Sequence, residues 1–258
     1  MDDPASLDPL LEMAFAHPMD YLEDNYILHS KLGTGSFANA YKVEELSTGH
    51  FFALKKSIHK YVGWKDRAGK LQEVRWQYAL TQNSLDPLSS GCKILSNLKS
   101  EGKEFKGGIQ SDSMEVEGLS SPSNMKPDSI DHVVKLYKSW EQNGILYMLL
   151  ELCPHGSLSS FLQNYCSEKV MEFDMIYSVL THLTLGLNLI HSRGLIHLDL
   201  KPDNVFLGRN WELKIGDLGL CVPVPDEGSE AEREGDRDYM APELLQSGLF
   251  TQAADIFR

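Results

Sequence analysis

The run of residues from Ile196 to Asn204, followed after a short strand, turn and strand by Asp217, constrains this chain more than any other part of it. Within the run, the carboxylate of Asp199 is followed closely by Lys201 and Asn204. This first carboxylate can accept a proton from an alcohol, and the second, Asp217, can hold a metal ion. Phosphoryl transfer from ATP requires such a set, because its catalysis is mostly positioning and neutralisation of charge.

The composition narrows the class of protein. With 258 residues and 42% hydrophobic content, the chain can bury a large core in one or two lobes. Its net charge of −13 argues against nucleic acid as the main partner, since polyanions would be repelled. Four cysteines without C-x-x-C spacing favour a reduced, intracellular setting. Neither a signal peptide pattern nor an uncharged apolar run of membrane-spanning length is found, so we expect a soluble protein without a membrane span.

The first half of the chain has the pattern of a β-sheet with one helix. Residues 1–24 form an acidic leader with leucines at loosely helical spacing, and a helix that caps the domain is its simplest interpretation. Short apolar runs between Gly and Ser turns predict strands, and Gln142-Asn143-Gly144 predicts a hairpin turn. A helix is predicted from Lys65 to Thr81. The predicted strands cover residues 26–28, 40–43, 50–54, 133–140 and 145–151.

Residues 83–130 interrupt this pattern. The segment is rich in Ser, Gly, Lys and Glu and has few aromatic residues, so it cannot bury enough surface to offset its ordering entropy. We predict a disordered insertion there. Its Ser121-Pro122 pair has the form of a proline-directed phosphorylation site, but such pairs are common in disordered chains and the ordinary interpretation is favoured.

The chain becomes helical after Glu151. Apolar residues recur between Ile176 and Ile190 at the spacing of an amphipathic helix packed on a core. Arg193-Gly194 ends that helix, with the arginine charge at the negative end of the helix dipole. A sheet-rich first half and a helix-rich second half, with the reactive residues at the seam, are typical of an enzyme with a cleft.

The run that begins at His197 resembles the catalytic loop of protein kinases, H-R-D-L-x-x-x-N, and Asp217-Leu218-Gly219 resembles the D-F-G that follows it. Leu198 and Leu218 stand where Arg and Phe are usual. The resemblance implies an α+β, bilobal fold, with an N-lobe of antiparallel β-sheet plus one helix and a mostly helical C-lobe. It also implies ATP and Mg²⁺ as cofactors and a protein as the substrate.

The same resemblance assigns roles to the reactive residues. Asp199 would accept or orient the proton of the substrate hydroxyl, and Lys201 would stabilise charge on the transferred phosphoryl group. Asn204 would ligate a metal ion, and Asp217 would hold the Mg²⁺ that bridges the phosphates. His197 would organise the loop rather than act as a base.

A further segment resembles the glycine-rich loop of the family, G-x-G-x-x-G-x-V, whose backbone lies over the phosphates of ATP. Alanines replace the third glycine and the valine. Phe52-Ala53-Leu54-Lys55 follows and resembles V-A-I-K. A cation in an apolar strand needs anionic partners, so Lys55 is assigned to the ATP phosphates and to a helix glutamate. The residues of the glycine-rich loop are Leu32, Gly33, Thr34, Gly35, Ser36, Phe37, Ala38, Asn39 and Ala40.

Glu73 is the candidate for that glutamate, because an inward stripe on its helix would place it near the sheet. Glu151 and Cys153 belong to a segment that resembles the hinge, whose backbone would bind adenine. We expect the Cys153 thiol to be unreactive, because nothing nearby would lower its pKa. The predicted stripe consists of Leu71, Val74 and Tyr78.

The segment from Glu234 to Glu243 narrows the family. It carries E-G-D ahead of A-P-E, which resembles the Wee-type cell-cycle kinases, and those kinases also have His-Leu-Asp and often Asp-Leu-Gly, as here. The resemblance implies inhibitory phosphorylation of a cyclin-dependent kinase on a tyrosine or threonine, which restrains entry into mitosis. It also implies a nuclear or cytoplasmic location, with the nucleus favoured.

On this resemblance, residues 25–258 form a kinase domain, with an N-lobe to residue 152 and a C-lobe from residue 153. The chain ends near Asp255, which in the family braces the catalytic loop at the start of a central helix, so we expect an incomplete C-lobe. Two alternatives stay open. One is a catalytically silent, kinase-like binding module or fragment, and the other is a conventional serine/threonine kinase of another family.

Leu198 leads to one further expectation. Without an arginine there, the loop lacks a cationic pocket for a phosphorylated activation segment. Between Asp217 and Tyr239 the only hydroxyl residue is Ser229, which stands among acidic residues. We predict an activity that does not depend on phosphorylation of this segment.

Overall fold

The computed structural model describes residues 20–81, 129–166, 170–224, 241–242 and 251–257. Several sequence-based predictions fall on other parts of the chain. The leader up to residue 19, the insertion up to residue 128 with its Ser121-Pro122 pair, Ser229, and the activation segment from Glu234 to Met240 all lie outside the described residues.

The N-terminal part is built on a five-stranded antiparallel sheet with the strand order β1-β2-β3-β5-β4. In the turn between the last two strands, Asn143 and Gly144 have φ values of 56° and 76°. This left-handed pair is typical of a type I′ hairpin turn, so the predicted hairpin is confirmed. The strands are β1 (Tyr26–Thr34), β2 (Ala38–Glu45), β3 (Phe51–Ser57), β4 (Leu136–Gln142) and β5 (Ile145–Leu150).

Two helices flank the sheet, α1 (Tyr21–Asn25) on one face and α2 (Gly63–Thr81) on the other. On the first face, Leu22 of α1 packs into a cluster that includes Trp140 and Tyr147, whose rings stack with their centroids 5.2 Å apart. The described end of the leader therefore covers the outer face of the sheet. Lys55 of β3 lies on the opposite face, with α2, because its β5 neighbour Met148 packs against Leu71 and Val74 of that helix.

The inward face of α2 differs from the predicted stripe at one residue. Leu71 and Val74 are buried against β4 and β5, as expected. Tyr78, however, is 54% exposed, and that prediction is wrong. Gln77 takes the inward position instead, because its side-chain amide donates a hydrogen bond to the carbonyl of Val134.

The C-terminal part is mostly helical, and two short antiparallel pairs, β6 with β9 and β7 with β8, hold its loops. The predicted fold class, an α+β bilobal protein kinase fold, is confirmed. The elements are α3 (Leu158–Cys166), α4 (Phe173–Ser192), β6 (Leu195–Ile196), β7 (Val205–Leu207), β8 (Leu213–Ile215), β9 (Val222–Pro223) and α5 (Ala253–Phe257), with 3-10 helices at Ser129–His132, Pro202–Asn204 and Leu218–Leu220.

The fully buried residues of helix α4 lie in its C-terminal half, and Val179 and Leu183 are partly buried against the same core. Leu187 and Ile190 belong to the main core, whereas Phe173, Tyr177 and Leu180 are exposed. The predicted amphipathic helix is therefore confirmed, but Ile176 and Leu180 of its apolar stripe are exposed. By length and composition α4 could also cross a membrane, but this is weak evidence, because the core helix of a globular protein passes the same test.

The end of α4 connects the two lobes. Gly194, with a φ of 68°, ends the helix as predicted. Arg193 does more than face its own helix dipole, because its Nη1 donates to the carbonyl oxygen of Ala79 at 3.1 Å. That carbonyl lies in the last turn of α2, so the guanidinium caps a helix of the other lobe.

Candidate active site

Lys55 lies in the middle of the sheet and forms the first part of the site. Its neighbours on β2 and β5 are Ala40 and Met148. The Nζ atom donates hydrogen bonds to Glu73 Oε1 at 2.6 Å and to Asp217 Oδ1 at 2.7 Å. The predicted ion pair of Lys55 with Glu73 is therefore present, and Asp217 joins it from the C-lobe.

The electrostatics of these three groups are strongly coupled. Burial alone would favour the neutral amine, but the carboxylates of Glu73 and Asp217 raise the pKa of Lys55 above its ordinary value. Burial raises the pKa of Glu73, and the charge of Lys55 only partly offsets it. The charge of Lys55 lowers the pKa of Asp217. Asp217 is therefore the firmly ionised carboxylate of the cluster.

The catalytic loop places its functional groups within one short turn. Asn204 Nδ2 donates to the carbonyl oxygen of Asp199 at 2.8 Å and to its side-chain Oδ2 at 2.7 Å. Lys201 Nζ lies 3.3 Å from the other carboxylate oxygen of Asp199, Oδ1. The three predicted residues thus meet around one carboxylate, with the Asn204 amide hydrogen-bonded to one oxygen and the Lys201 ammonium beside the other.

Gly216 connects this loop to Asp217. Its N–H donates to the carbonyl oxygen of Asn204 at 2.9 Å, and its own carbonyl accepts a hydrogen bond from His197 Nε2 at 3.0 Å. The other ring nitrogen of His197 accepts the N–H of Asp199 at 3.2 Å. Both imidazole nitrogens are used to hold backbone, so His197 occupies a structural position. Asp217 follows with a left-handed φ of 57° and turns its side chain to Lys55.

Asp255 braces the loop from α5. Its two carboxylate oxygens accept the backbone N–H groups of His197 at 2.8 Å and of Leu198 at 2.9 Å, and His191 Nε2 lies 2.8 Å from Oδ2. Burial opposes the ionised form, yet these hydrogen bonds lower the pKa of Asp255. The resemblance to kinases implied this bracing role, and the contacts are present.

Leu198 replaces the usual arginine with a core residue. The side chain is 1% exposed and packs with Ile196 and Val222. Its φ of 61° is a left-handed value that is uncommon for a residue other than glycine. Hydrogen bonding of its N–H to Asp255 and burial of its side chain together hold this backbone.

The predicted glycine-rich loop is the turn between β1 and β2. Leu32, Gly33 and Thr34 end β1, and Ala38, Asn39 and Ala40 begin β2. The turn is closed by a hydrogen bond from the N–H of Gly35 to the carbonyl oxygen of Ala38 at 2.9 Å. A Cβ atom on Gly33 would meet nothing within 4 Å. Ser36 and Phe37 stand exposed at the tip, so the loop presents open backbone above the cleft.

The predicted hinge follows β5 and connects the lobes. The N–H of Glu151 donates to the carbonyl oxygen of Lys135 at 2.8 Å, which fixes the start of the segment. Burial and the nearby charge of Glu151 raise the pKa of Cys153 to about 12. The thiol is therefore protonated at neutral pH, as an unreactive cysteine requires.

The residues present fit ATP and Mg²⁺. Asp217 and Asn204 offer carboxylate and amide oxygens, which are the hard ligands that Mg²⁺ takes together with phosphate. Two carboxylates face the single cation Lys55, so the cluster can accept a divalent cation and an anionic phosphate together. Gly33 leaves room for phosphates under the loop.

Lys214 is a charged residue of this region that sequence reasoning missed. It is 2% exposed in the middle of β8, with Leu213 and Ile215 on either side. Its Nζ lies 3.1 Å from Glu151 Oε1. The signal that pointed to Lys55, a cation within an apolar strand, was present here too.

Known proteins resemble the chain over most of its length. The protein kinase domain family matches residues 103–258. The mitosis inhibitor protein kinase wee1 of Schizosaccharomyces pombe is 34% identical over 229 residues, which is 88% of this chain and 20% of that protein. The mitosis inhibitor protein kinase SWE1 of Candida albicans is 35% identical over 226 residues, 88% of this chain and 16% of that protein.

A third relative is named for its specificity. The membrane-associated tyrosine- and threonine-specific cdc2-inhibitory kinase of Drosophila melanogaster is 32% identical over 240 residues, 93% of this chain and 35% of that protein. The chain thus spans little more than a third, or less, of the length of these relatives.

Proposed function

Because the chain belongs to the protein kinase family and resembles its Wee-type members, we propose that it transfers the γ-phosphate of ATP to a protein hydroxyl group. The observation that carries the proposal is the position of Lys55, whose amine binds Glu73 and Asp217 at 2.6 and 2.7 Å. A lysine held between two carboxylates in a cleft is suited to an anionic ligand that arrives with its own metal ion.

The cleft would divide the reaction between its two sides. Lys55 would bind the phosphates of ATP, with Glu73 keeping the amine in place. Mg²⁺, held by Asp217 and Asn204, would neutralise charge on the phosphates. Each of these residues comes from an element that the fold holds in position, and catalysis of this kind depends mainly on such positioning.

The catalytic loop would handle the substrate hydroxyl. Asp199 would orient that hydroxyl and accept its proton, and Asn204 holds the carboxylate for this task through its amide nitrogen at 2.7 Å. Lys201, 3.3 Å from the same carboxylate, would stabilise the charge that develops on the transferred group.

The proposed substrate is an inhibitory tyrosine, or a threonine, of a cyclin-dependent kinase. Support comes from the relatives, which are named as mitosis inhibitor kinases and a cdc2-inhibitory kinase. On this proposal the protein restrains entry into mitosis and acts in the nucleus or the cytoplasm, with the nucleus favoured. Its activity would not depend on phosphorylation of the activation segment, because Leu198 is buried in the core where the family's arginine would bind a phosphate.

A phosphate-transfer assay tests the proposal. The chain is incubated with Mg·ATP and a cyclin-dependent kinase, and phosphotyrosine is measured on that substrate and on a variant in which the target tyrosine is phenylalanine. We expect transfer to the tyrosine-bearing substrate only, and loss of transfer in Asp199→Asn. Ser229→Ala serves as the matched variant within the activation segment and is expected to keep activity.

Other outcomes separate the alternatives. Binding of Mg·ATP without any transfer would indicate a kinase-like binding module. Transfer to serine and threonine peptides but never to tyrosine would indicate a conventional serine/threonine kinase. Activity lost in Ser229→Ala and restored by Ser229→Glu would overturn the proposed independence from phosphorylation.

A further inference from the structure

We propose that Lys214 is a positioning residue. It ties the hinge to strand β8, which leads to Asp217, and thereby sets the affinity and base selectivity for ATP. The inference rests on the proposed kinase function. Lys214 lies in the middle of β8 and is 2% exposed. Its Nζ lies 3.1 Å from Glu151 Oε1 and 3.6 Å from Glu212 Oε1, and donates to the carbonyl oxygen of Asp131 at 2.7 Å.

A lysine so deeply buried needs these partners. An ammonium group removed from water destabilises the fold unless opposite charge and hydrogen bonds replace the lost hydration. Lys214 has both, since two carboxylates neutralise it and one carbonyl accepts a hydrogen bond. The fold could have placed an aliphatic residue here at no such cost, so the cation suggests a role in fixing relative positions.

The three partners come from three different segments. Glu151 begins the hinge, Glu212 lies in the turn between β7 and β8, and Asp131 lies in the 3-10 helix that precedes β4. A single ammonium group thus joins the hinge between the lobes to the turn between β7 and β8 and to the 3-10 helix before β4. No other position in β8 offers this, because Leu213 and Ile215 belong to the apolar core.

The two carboxylate partners are themselves held in place. Glu212 Oε2 accepts the N–H of Asn210 at 2.8 Å, and its carboxylate packs so closely on Gly208 that a Cβ atom there would lie 2.2 Å from Oε1. Glu151 Oε2, its second oxygen, accepts the N–H of Lys135 at 3.3 Å. The carboxylates are therefore fixed points, and Lys214 connects them rather than following them.

The position along β8 gives the contact its functional meaning. The carbonyl oxygen of Ile215 accepts the N–H of Val134 at 2.9 Å, and Gly216 and Asp217 follow directly. One short strand thus carries the residue that contacts the hinge and leads to the residue assigned to Mg²⁺. The distance between the base site and the phosphate site depends on this strand, so loosening its hinge contact should weaken binding of the base and leave the chemistry intact.

Steady-state kinetics of Lys214→Met test the inference. We expect the KM for ATP to rise about tenfold and kcat to stay within about twofold, because uniform binding is lost and transition-state stabilisation is not. The preference for ATP over GTP should fall, since the hinge backbone distinguishes the bases. Lys214→Arg keeps the charge and should hold KM within about threefold of the parent chain.

Two further variants keep the test decisive. Lys70→Met is the matched control, because Lys70 also lies 3.1 Å from a carboxylate, that of Asp66, but on the surface of α2. It should leave KM unchanged. If Lys214→Met does not fold, Glu151→Gln weakens the same contact and should raise KM in its place. If both variants fold, their effects on KM should be less than additive in the double variant, as expected for groups in contact.

The outcomes separate this inference from the proposed function. Absence of Mg·ATP binding by the parent chain would reject the proposed function itself. A parent chain that binds Mg·ATP, together with Lys214 and Glu151 variants that keep its KM and its preference for ATP, would reject the inference alone. Equal losses in kcat and stability without a change in KM would assign Lys214 to the fold only and would overturn the positioning role.

Discussion

The charged cluster at the top of the cleft and the catalytic loop below it are built in different ways. The cluster, formed by Lys55, Glu73 and Asp217, joins side chains from three distant segments through the charged hydrogen bonds of one ammonium group. The catalytic loop is held by hydrogen bonds from backbone groups to the buried side chains of His197 and Asp255. The first arrangement can exchange partners when a charged ligand enters, whereas the second cannot change without loss of the fold.

Exposure follows the same division. The side chain of Asp217 is 45% exposed and that of Lys55 is 21% exposed, so both can be reached from the cleft. The side chain of Asp255 is fully buried. Side chains that pair across the cleft therefore bind the ligand. The backbone of the catalytic loop, held by His197 and Asp255, keeps the reacting groups in position. Four changes test this division.

Lys55→Met should produce the largest effect. Removing the amine leaves the phosphates without their cation, so phosphate transfer should fall on the order of 10²- to 10³-fold. The matched control is Lys56→Met, because the Lys56 ammonium lies 5.4 Å from the Tyr147 ring on the other face of the sheet. The measurement is the phosphate-transfer rate of each variant. Similar rates for the two variants would show that Lys55 does not bind the phosphates.

Asp255→Ala should have the next largest effect, on stability. It leaves the N–H groups of His197 and Leu198 buried without an acceptor, which should lower the free energy of unfolding by about 2 to 3 kcal/mol. Urea denaturation measures this loss. Asp203→Ala, at an exposed aspartate of the same loop, should change stability by less than about 0.5 kcal/mol. An equally small change in Asp255→Ala would show that the loop does not need its brace.

The same carboxylate predicts a pH dependence. Although burial alone would raise the pKa of Asp255, hydrogen bonds from His191 and from the N–H of His197 and Leu198 lower it. The folded state therefore binds fewer protons than the unfolded state in acid. This stabilisation is complete above the unfolded pKa, near about 4, and is lost as the pH falls through the folded pKa.

Unfolding free energies measured across the acid range check this sign. Stability of the parent chain should fall more steeply below about pH 5 than that of Asp255→Asn, which has no proton to gain at this position. Parallel curves for the two chains would show that the carboxylate has an ordinary pKa and that the brace is not ionic.

Gly33→Ala should have the smallest effect. It tests whether ATP binding can change while the stability of the fold does not. The added Cβ atom meets nothing within 4 Å, so stability should stay within about 0.5 kcal/mol. If phosphates lie under this backbone, the KM for ATP should still rise about threefold. Gly69→Ala, equally open but on α2, should leave KM unchanged. An unchanged KM in Gly33→Ala would show that the phosphates do not lie under this loop.

Much of the fold follows from local patterns in the sequence. The strands and the hairpin turn were predictable because short apolar runs between turn residues, and the Asn143-Gly144 pair, act over a few residues. The meeting of Lys55 with Glu73 was predictable because a cation in an apolar strand must find an anion. In both cases the residue types alone predict the structure, and no contact with a distant segment has to be known.

Tertiary contacts account for what could not be predicted. Tyr78 is exposed because Gln77 forms a hydrogen bond to Val134, more than fifty residues away in sequence. Arg193 caps α2, a helix of the other lobe, which no helix-end pattern indicates. Lys214 is a different case. The sequence shows a cation within an apolar strand, as for Lys55, but it does not show which residues are its partners.

The most direct test of the account is titration calorimetry of ATP binding, with and without Mg²⁺, in the parent chain and in Asp217→Asn. If Lys55, Asn204 and Asp217 form one cleft for a nucleotide and its metal ion, Mg²⁺ should strengthen ATP binding on the order of tenfold in the parent chain. That gain should be absent in Asp217→Asn and intact in the exposed control Asp203→Asn. The same gain in all three chains, or no binding of ATP by the parent chain, would contradict the account.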